Sequence, residues 1–209
     1  MPRRRPDGRV PSWSRLCRLA ATQCGYFTGA QALEVGFSPQ LLQYYIQKSL
    51  IRRVCRGIFH LGQHPRAEHE ALIALWLWSR KEGIFSHETA LTLLGLAQEQ
   101  ECSRLTLTLP PSWRRRRLRL PLASTVYYAE VPAEDTCRRG PLPFTAPLRT
   151  LVDCVQAGVD PDLLERATRN AVRQRLLTRA GLDRALRRAM PSSPPRSSPP
   201  PPARLRTCL

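Results

Sequence analysis

The sequence predicts an α+β protein with an N-terminal winged helix-turn-helix, a mixed α+β domain and a disordered Pro-rich tail. Apolar residues first recur at helical spacing and then alternate as in strands within residues 12–62, the predicted winged domain. Helix-like and strand-like segments intermingle over residues 67–189, the second predicted domain. Residues 1–11 are basic and predict a flexible arm, and residues 190–209, rich in proline, serine and arginine, predict a disordered tail.

A first helix is predicted near the N terminus. From Trp13 to Cys24, apolar residues recur every three or four positions, as on one face of an amphipathic helix. Ser12 is placed to cap the start of this helix, and Gly25 is placed to end it. We therefore expect one amphipathic helix before the two helices of the predicted helix-turn-helix.

Two short helices are predicted next. Thr28 and Gln31 have the spacing of a capping box, in which each side chain binds a backbone amide of the other residue. Gly36 can take the left-handed conformation that ends such a helix. Ser38 then caps a third helix that begins with Pro39, where a missing backbone N–H costs nothing. The pattern is helix, tight turn, helix.

The third helix has two chemically different faces. Its inward face is apolar and consists of Leu41, Leu42, Tyr45 and Ile46. Its outward face consists of Gln40, Gln43, Tyr44 and Gln47. Glutamine can pair with adenine through two hydrogen bonds in the major groove, and the helix start at Ser38 can hold a phosphate. We interpret this face as a DNA recognition surface; the alternative is an ordinary solvent-exposed helix.

A basic β-hairpin is predicted after the third helix, with strands at residues 51–55 and 58–61. Its arginines are Arg52, Arg53 and Arg56. Such guanidinium groups contact phosphate or enter the minor groove, although a charged hairpin edge can also serve only to prevent aggregation. A second basic cluster consists of Arg114, Arg115, Arg116 and Arg117. For this cluster, secondary phosphate contacts and a solvated loop are equally compatible interpretations.

The charge of the chain favours a polyanionic partner. Lysine and arginine number 33 against 16 acidic residues, a formal net charge of +17. Each neutralised phosphate of a nucleic acid releases counterions, but membranes and acidic proteins are polyanions too, and genome base bias can produce the same excess.

The seven cysteines include no C-x-x-C pair, which predicts reduced thiols and no structural zinc. Without a signal peptide or a membrane-length apolar run, a cytoplasmic protein with no membrane association is expected.

Catalytic motifs are not found in the sequence. His87 and Glu88 would begin an H-E-x-x-H zinc motif, but Leu91 stands where the second histidine is required. Ser86 and Glu88 are interpreted instead as the capped start of a helix. The acid-x-lysine motif of metal-dependent nucleases is absent at both lysines. We therefore predict no enzyme, no catalytic residue, no metal and no cofactor.

The order of these motifs resembles the AbiEi-type antitoxins over roughly residues 12–189. In the first domain the resemblance is carried by residues 25–28, 31–32, 38–42, 53–54 and 56–59. In the second domain it is carried by residues 69–70, 75–79, 85–91, 95–96 and 107–110.

The resemblance implies an autorepressing antitoxin and transcriptional regulator of a type IV toxin–antitoxin system. It implies binding to double-stranded DNA at an inverted repeat, which two copies can engage together, and a nucleotidyltransferase toxin as genetic partner, with no direct contact implied. The DNA-facing residues carried over are Thr28, Ser38, Gln40, Gln43, Tyr44, Arg52, Arg53 and Arg56, to which the helical face adds Gln47. The alternative is a stand-alone regulator or an RNA- or protein-interaction module; a nucleic-acid enzyme is least favoured.

Overall fold

The structure is a computed structural model that describes residues 10–98 and 104–189. Within these residues the fold is mixed α+β, with eight α-helices and two β-sheets. The predicted α+β class is confirmed. Residues 1–9 of the predicted arm and all of the predicted tail, residues 190–209, lie outside the described residues.

The elements follow one another in two groups. The first group is α1 (Trp13–Ala21), β1 (Tyr26–Thr28), α2 (Gly29–Glu34), α3 (Pro39–Gln47), β2 (Ile51–Cys55) and β3 (Ile58–Leu61). The second group is α4 (Glu70–Trp78), β4 (Ile84–Phe85), α5 (His87–Leu93), β5 (Leu105–Leu109), β6 (Ser124–Tyr128), β7 (Thr136–Arg139), β8 (Leu142–Thr145), α6 (Pro147–Gln156), α7 (Pro161–Arg173) and α8 (Arg179–Ala189).

Two helices end earlier than their apolar spacing predicts. Helix α1 stops short of Cys24, because Cys24 and Gly25 have left-handed φ angles of 56° and 87° that turn the chain back. The apolar pattern predicts a helix over residues 68–82, but α4 ends at Trp78, since the backbone becomes left-handed at Arg80, with φ of 56°. In both cases a local backbone conformation ends the helix before the apolar pattern does.

The first sheet has three strands in the order β1-β3-β2, all antiparallel. Strand β3 pairs Phe59 with Phe27 of β1, and Leu61 with Ile51 of β2. The hairpin has the predicted bounds, and the register shifts between Arg53 and Cys55. Strand β1 was not predicted, because its three residues are too few to show alternation.

The second sheet has five strands in the order β6-β5-β4-β8-β7, and β4 pairs with β8 in parallel. The sequence predicts extended segments at residues 84–86, 105–109 and 125–129, and strands β4, β5 and β6 lie there. Strands β7 and β8 were missed. Every residue of β8 is buried, so that it shows no polar alternation, and Pro143 lowers its strand propensity.

The described chain divides into two compact units. The first runs through Ile84 and includes Leu109–Ala123 and Arg138–Pro143; the second comprises Phe85–Thr108, Ser124–Cys137 and the chain from Phe144 onward. The first unit thus contains α4, which the sequence assigned to the domain starting at residue 67. Its core includes Leu16, Ala20, Phe27, Ala32, Phe37, Leu42, Ile51, Phe59 and Leu61. A core of the second unit includes Leu91, Leu96, Leu151, Val152, Cys154, Ala167, Ala171 and Leu182.

None of the helices in the described part of the chain is both long enough and apolar enough to cross a bilayer.

Candidate nucleic-acid interface

Helix α2 begins with the capping box predicted from the sequence. The Thr28 hydroxyl accepts a hydrogen bond from the Gln31 backbone N–H at 3.1 Å, and Gln31 Oε1 accepts one from the Thr28 N–H at 2.8 Å. Gln31 Nε2 also donates to Gln23 Oε1 at 2.9 Å, which joins α2 to the loop before β1. The Thr28 side chain is therefore held by its capping role, and its orientation at the start of α2 is set.

The turn between α2 and α3 depends on a glycine. Gly36 has a φ of +93°, and a Cβ added there would lie 2.9 Å from the Cα of Pro11. The Phe37 N–H donates to the Ala32 carbonyl at 2.8 Å, and the Ser12 N–H donates to the Val35 carbonyl at 3.2 Å. A tight turn, closed against the chain before α1, thus connects the two helices.

Helix α3 is anchored by its start and by its inward face. The Ser38 hydroxyl accepts from the Leu41 N–H at 3.0 Å, and Pro39 is the first helical residue, as predicted. Leu42 is buried, and the Tyr45 ring stacks on Trp13 with centroids 4.9 Å apart. These contacts hold the rotation of α3 about its axis, and with it the direction of its other face.

The opposite face of α3 is open to solvent. The four side chains that the sequence placed there are all exposed: Gln40, Gln43, Tyr44 and Gln47. Tyr44 is 50% exposed, and the Lys48 ammonium lies 5.9 Å from the centre of its ring. The predicted division of the helix into two faces agrees with the observed burial, and DNA contact by this face stays a prediction.

Two of the three hairpin arginines face solvent. Arg53 and Arg56 are exposed, and the Arg53 guanidinium lies 5.7 Å from the centre of the Phe59 ring. Gly57 forms the tip of the hairpin with a φ of +79°, and a Cβ added there would meet nothing within 4 Å. The hairpin therefore presents two guanidinium cations to solvent close to its turn.

Arg52 is held away from these two arginines. Its guanidinium donates to both carboxylate oxygens of Glu70, which is the first residue of α4, and the Tyr26 hydroxyl donates to Glu70 Oε2 at 2.9 Å. The hydrogen bonds from Arg52 hold the pKa of the Glu70 carboxyl below its usual value. Neighbouring residues of a strand point to opposite faces, so Arg52 faces Glu70 rather than the side of Arg53. The phosphate contact predicted for Arg52 stays a prediction.

The second basic cluster is exposed around a buried tryptophan. Trp113 lies in a 3₁₀ helix at Pro111–Arg115, and its indole N–H donates to Glu82 Oε2 at 2.7 Å. The Arg116 guanidinium lies 4.2 Å from the centre of the Trp113 ring. The cluster Arg114, Arg115, Arg116 and Arg117 is exposed throughout and belongs to the first unit. Its part in phosphate contact stays a prediction.

His87, the residue closest to a catalytic motif in the sequence, lies in a packed polar network. Its Nδ1 is 2.9 Å from Ser86 Oγ, to which the Thr108 hydroxyl donates at 2.8 Å, and its ring stacks on Tyr127. Burial lowers the pKa of His87 to about 4, so that the imidazole is neutral at pH 7. Helix α5 begins after Ser86 with Glu88 in its first turn, as predicted, but the Ser86 hydroxyl makes no hydrogen bond to a helix amide.

Within residues 10–98 and 104–189, no group of three or more His, Cys, Asp or Glu side chains could hold a metal ion.

Two features of the first unit were missed by sequence reasoning. Glu70 lies 18 residues from Arg52, and no local spacing connects them. The other is a cavity between α2, α3 and the hairpin, at whose edge Leu33 is exposed. An apolar residue on the polar side of a short helix was the only signal of this cavity in the sequence.

The chain shows little similarity to known proteins. A scan of protein-family models matches none, and a search of curated proteins finds no match. Among solved structures, the crystal structure of RV2827C protein from Mycobacterium tuberculosis is similar at 19% sequence identity and a TM-score of 0.47. The alignment covers 87% of this chain and 78% of that chain. The proposals below depend on the residues and motifs of this chain.

Proposed function

We propose that the chain is a DNA-binding transcriptional regulator that reads sequence with α3. The observation that carries the proposal is the exposed face of Gln40, Gln43, Tyr44 and Gln47, held outward by the buried Leu42 and by the Ser38 cap. Glutamine amides offer the donor and acceptor pair that adenine requires in the major groove.

The elements around α3 suit a winged helix-turn-helix. Helix α2, a tight turn and α3 are followed by a hairpin, which is the order of that motif. An α-helix with its side chains is about 10–12 Å across and fits a major groove about 12 Å wide. Arg53 and Arg56 at the hairpin then serve as phosphate or minor-groove contacts.

Within this class, the particular function we propose is autorepression by an antitoxin of a type IV toxin–antitoxin system. This step rests on the motif resemblance to the AbiEi-type antitoxins over roughly residues 12–189. Two copies of the chain would occupy an inverted-repeat operator, since half-sites related by a two-fold axis match two identical subunits. A nucleotidyltransferase toxin would be its genetic partner.

Selection of bound fragments from the native genome tests the proposal and supplies the operator. Binding of the wild type and four variants is then measured on this operator and on a scrambled duplex, over a range of salt concentrations. Gln43→Ala is matched with Gln63→Ala, another exposed glutamine of the first unit, and Arg56→Ala is matched with Arg184→Ala, an exposed arginine of α8.

Each variant has a distinct expected result. Gln43→Ala weakens operator binding about tenfold but leaves scrambled DNA unaffected, because only a base contact is lost. Arg56→Ala weakens binding to both duplexes and lowers the salt slope by about one. Both matched controls bind as the wild type does. Equal wild-type affinity for operator and scrambled DNA would overturn sequence-specific regulation, and preferential capture of RNA would favour the interaction-module alternative.

A further inference from the structure

A cavity of about 320 Å³ lies in the first unit, between α2, α3 and the hairpin. No step of the proposed DNA contact uses its interior. Its lining residues are Gly29, Leu33, Phe37, Pro39, Leu42, Arg53, Arg56, Gly57 and Phe59. This volume lies at the lower end of the range for small-molecule sites.

The interior of the cavity is apolar and well anchored. Phe37, Leu42 and Phe59 are only 1%, 5% and 6% exposed, so that no more than their edges reach the cavity, and these edges are held in place by packing. Leu33 is 50% exposed at the edge of the cavity, although residues 29–32 before it in α2 are small or polar. An occupant with a flat apolar body would bury this leucine and cover Pro39, which is also exposed.

The charged part of the cavity is entirely positive. Arg53 and Arg56 are its only charged lining residues, and both are exposed. Across residues 10–98 and 104–189, the ion pairs of the structure involve other arginines, such as Arg52 and Arg149. Two guanidinium groups beside an apolar surface complement a carboxylate attached to an apolar body.

We propose that this cavity binds a small aromatic monocarboxylate, with its ring against Leu33 and Pro39 and its carboxylate between Arg53 and Arg56. The apolar walls favour the ring through burial of apolar surface, and the guanidinium groups favour the anion through charge-assisted hydrogen bonds. The volume limits the ligand to one or two fused rings.

Such a ligand would act on the proposed regulator by competition. Because Arg53 and Arg56 are also the proposed phosphate contacts, bound carboxylate and bound DNA would exclude each other. This consequence rests on the proposed function, whereas the binding site itself does not. Binding is therefore measured first without DNA.

The test uses naphthalene-2-carboxylate as probe with the full chain, followed by isothermal titration calorimetry and by amide chemical shifts. Naphthalene-2-carboxamide, which has the same ring without the charge, and inorganic phosphate, which has charge without the ring, are the matched ligands. Leu33→Gln is compared with Leu50→Gln, since the two leucines are 50% and 48% exposed and only Leu33 lines the cavity. Arg56→Gln removes one guanidinium.

The proposal expects saturable binding of naphthalene-2-carboxylate with shifts centred on α2, α3 and the hairpin. The carboxamide and the Arg56→Gln variant each bind about tenfold more weakly, and Leu33→Gln binds about fivefold more weakly, while Leu50→Gln binds as the wild type does. Lack of saturable binding, equal binding of the carboxamide, or equal effects of the two leucine variants would overturn it.

Two other occupants give different results. If phosphate alone displaces the probe at equal concentration, the arginines are a simple anion site and the proposal is overturned. If sedimentation shows a dimer that Leu33→Gln dissociates, a second copy of the chain covers the cavity, which also overturns it. Probe binding that is unchanged by saturating operator DNA would refute only the competition between ligand and DNA. A wild type that shows no sequence-specific DNA binding would refute the proposed function but not the proposed ligand site.

Discussion

Replacing Glu70 by glutamine is expected to destabilise the first unit by about 1 kcal/mol at pH 7, because it removes the charge that pairs with Arg52. The carboxylate accepts two hydrogen bonds from the Arg52 guanidinium and one from the Tyr26 hydroxyl. Tyr26 is fully buried, and its hydroxyl also accepts from the Ala67 N–H at 3.2 Å. Glu70 thereby links α4 to both β1 and β2.

The magnitude follows from the exposure of the pair. The side chains of Arg52 and Glu70 are 32% and 29% exposed, so that solvent screens the attraction and the ion pair contributes about 0.5–1 kcal/mol. Glutamine retains one oxygen that can accept from Tyr26, and the loss is therefore confined to the charge. Alanine removes that acceptor as well and leaves a buried donor unpaired, which raises the expected cost to about 2–3 kcal/mol.

Urea unfolding at several pH values tests the origin of this stability. The pKa of the folded Glu70 carboxyl is below its ordinary value of 4.5, because Arg52 hydrogen bonds favour the charged form. A lowered folded pKa contributes stability above the unfolded pKa and loses it as the pH falls through the folded pKa. The difference between wild type and Glu70→Gln should therefore be full at pH 7 and shrink below pH 4.5.

Glu68→Gln is the matched control, since Glu68 is an exposed carboxylate two residues away. It is expected to change the free energy of unfolding by less than about 0.5 kcal/mol. Equal losses for the Glu70 and Glu68 variants at pH 7 would refute the ion pair as a source of stability. A Glu70→Gln difference that stays constant down to pH 3 would refute the electrostatic cause.

Two further predictions concern the backbone turn and the buried histidine. Gly36→Ala should lower the free energy of unfolding in urea by about 3 kcal/mol, and Gly57→Ala should lower it by about 1 kcal/mol. Both glycines have positive φ, but only at Gly36 would the added Cβ meet a neighbouring backbone. Equal losses for the two variants would contradict the close approach at Gly36. Burial lowers the pKa of His87 to about 4, below its ordinary value of 6.5. The contribution of the neutral imidazole to the free energy of unfolding is therefore complete above pH 6.5, and about 3 kcal/mol of it is lost as the pH drops towards 4. His87→Asn should remove that pH dependence, and an unchanged profile would show that other groups cause it.

The elements that could be predicted from sequence are those with local chemical markers. The capping box at Thr28, the Ser38-Pro39 helix start and the hairpin with its turn at Gly57 all depend on residues a few positions apart. Local backbone preferences and short-range hydrogen bonds determine such features, and a single sequence displays both. The outward face of α3 followed from the same local periodicity.

The features that could not be predicted depend on distant residues. Strand β1 exists because Phe27 pairs with Phe59, and strand β8 because Phe144 pairs with Phe85. Three or four residues do not show a strand period by themselves, so tertiary pairing decides their conformation. The ends of α1 and α4 were also missed, since left-handed backbone at non-glycine residues such as Cys24 and Arg80 has no strong sequence marker.

Two adjacent arginines of the hairpin show why a count of charges does not predict the affinity for a polyanion. Arg52 and Arg53 follow each other in β2, and the strand directs one towards Glu70 and the other towards solvent beside Arg56. The first is neutralised within the fold and stabilises it, whereas the second remains available to an external anion. The count of 33 lysines and arginines therefore overstates the cations that a polyanion can reach, and the number of phosphates contacted must be measured as a salt slope. On the hairpin, two of the three arginines, Arg53 and Arg56, lie outside the internal ion pair with Glu70.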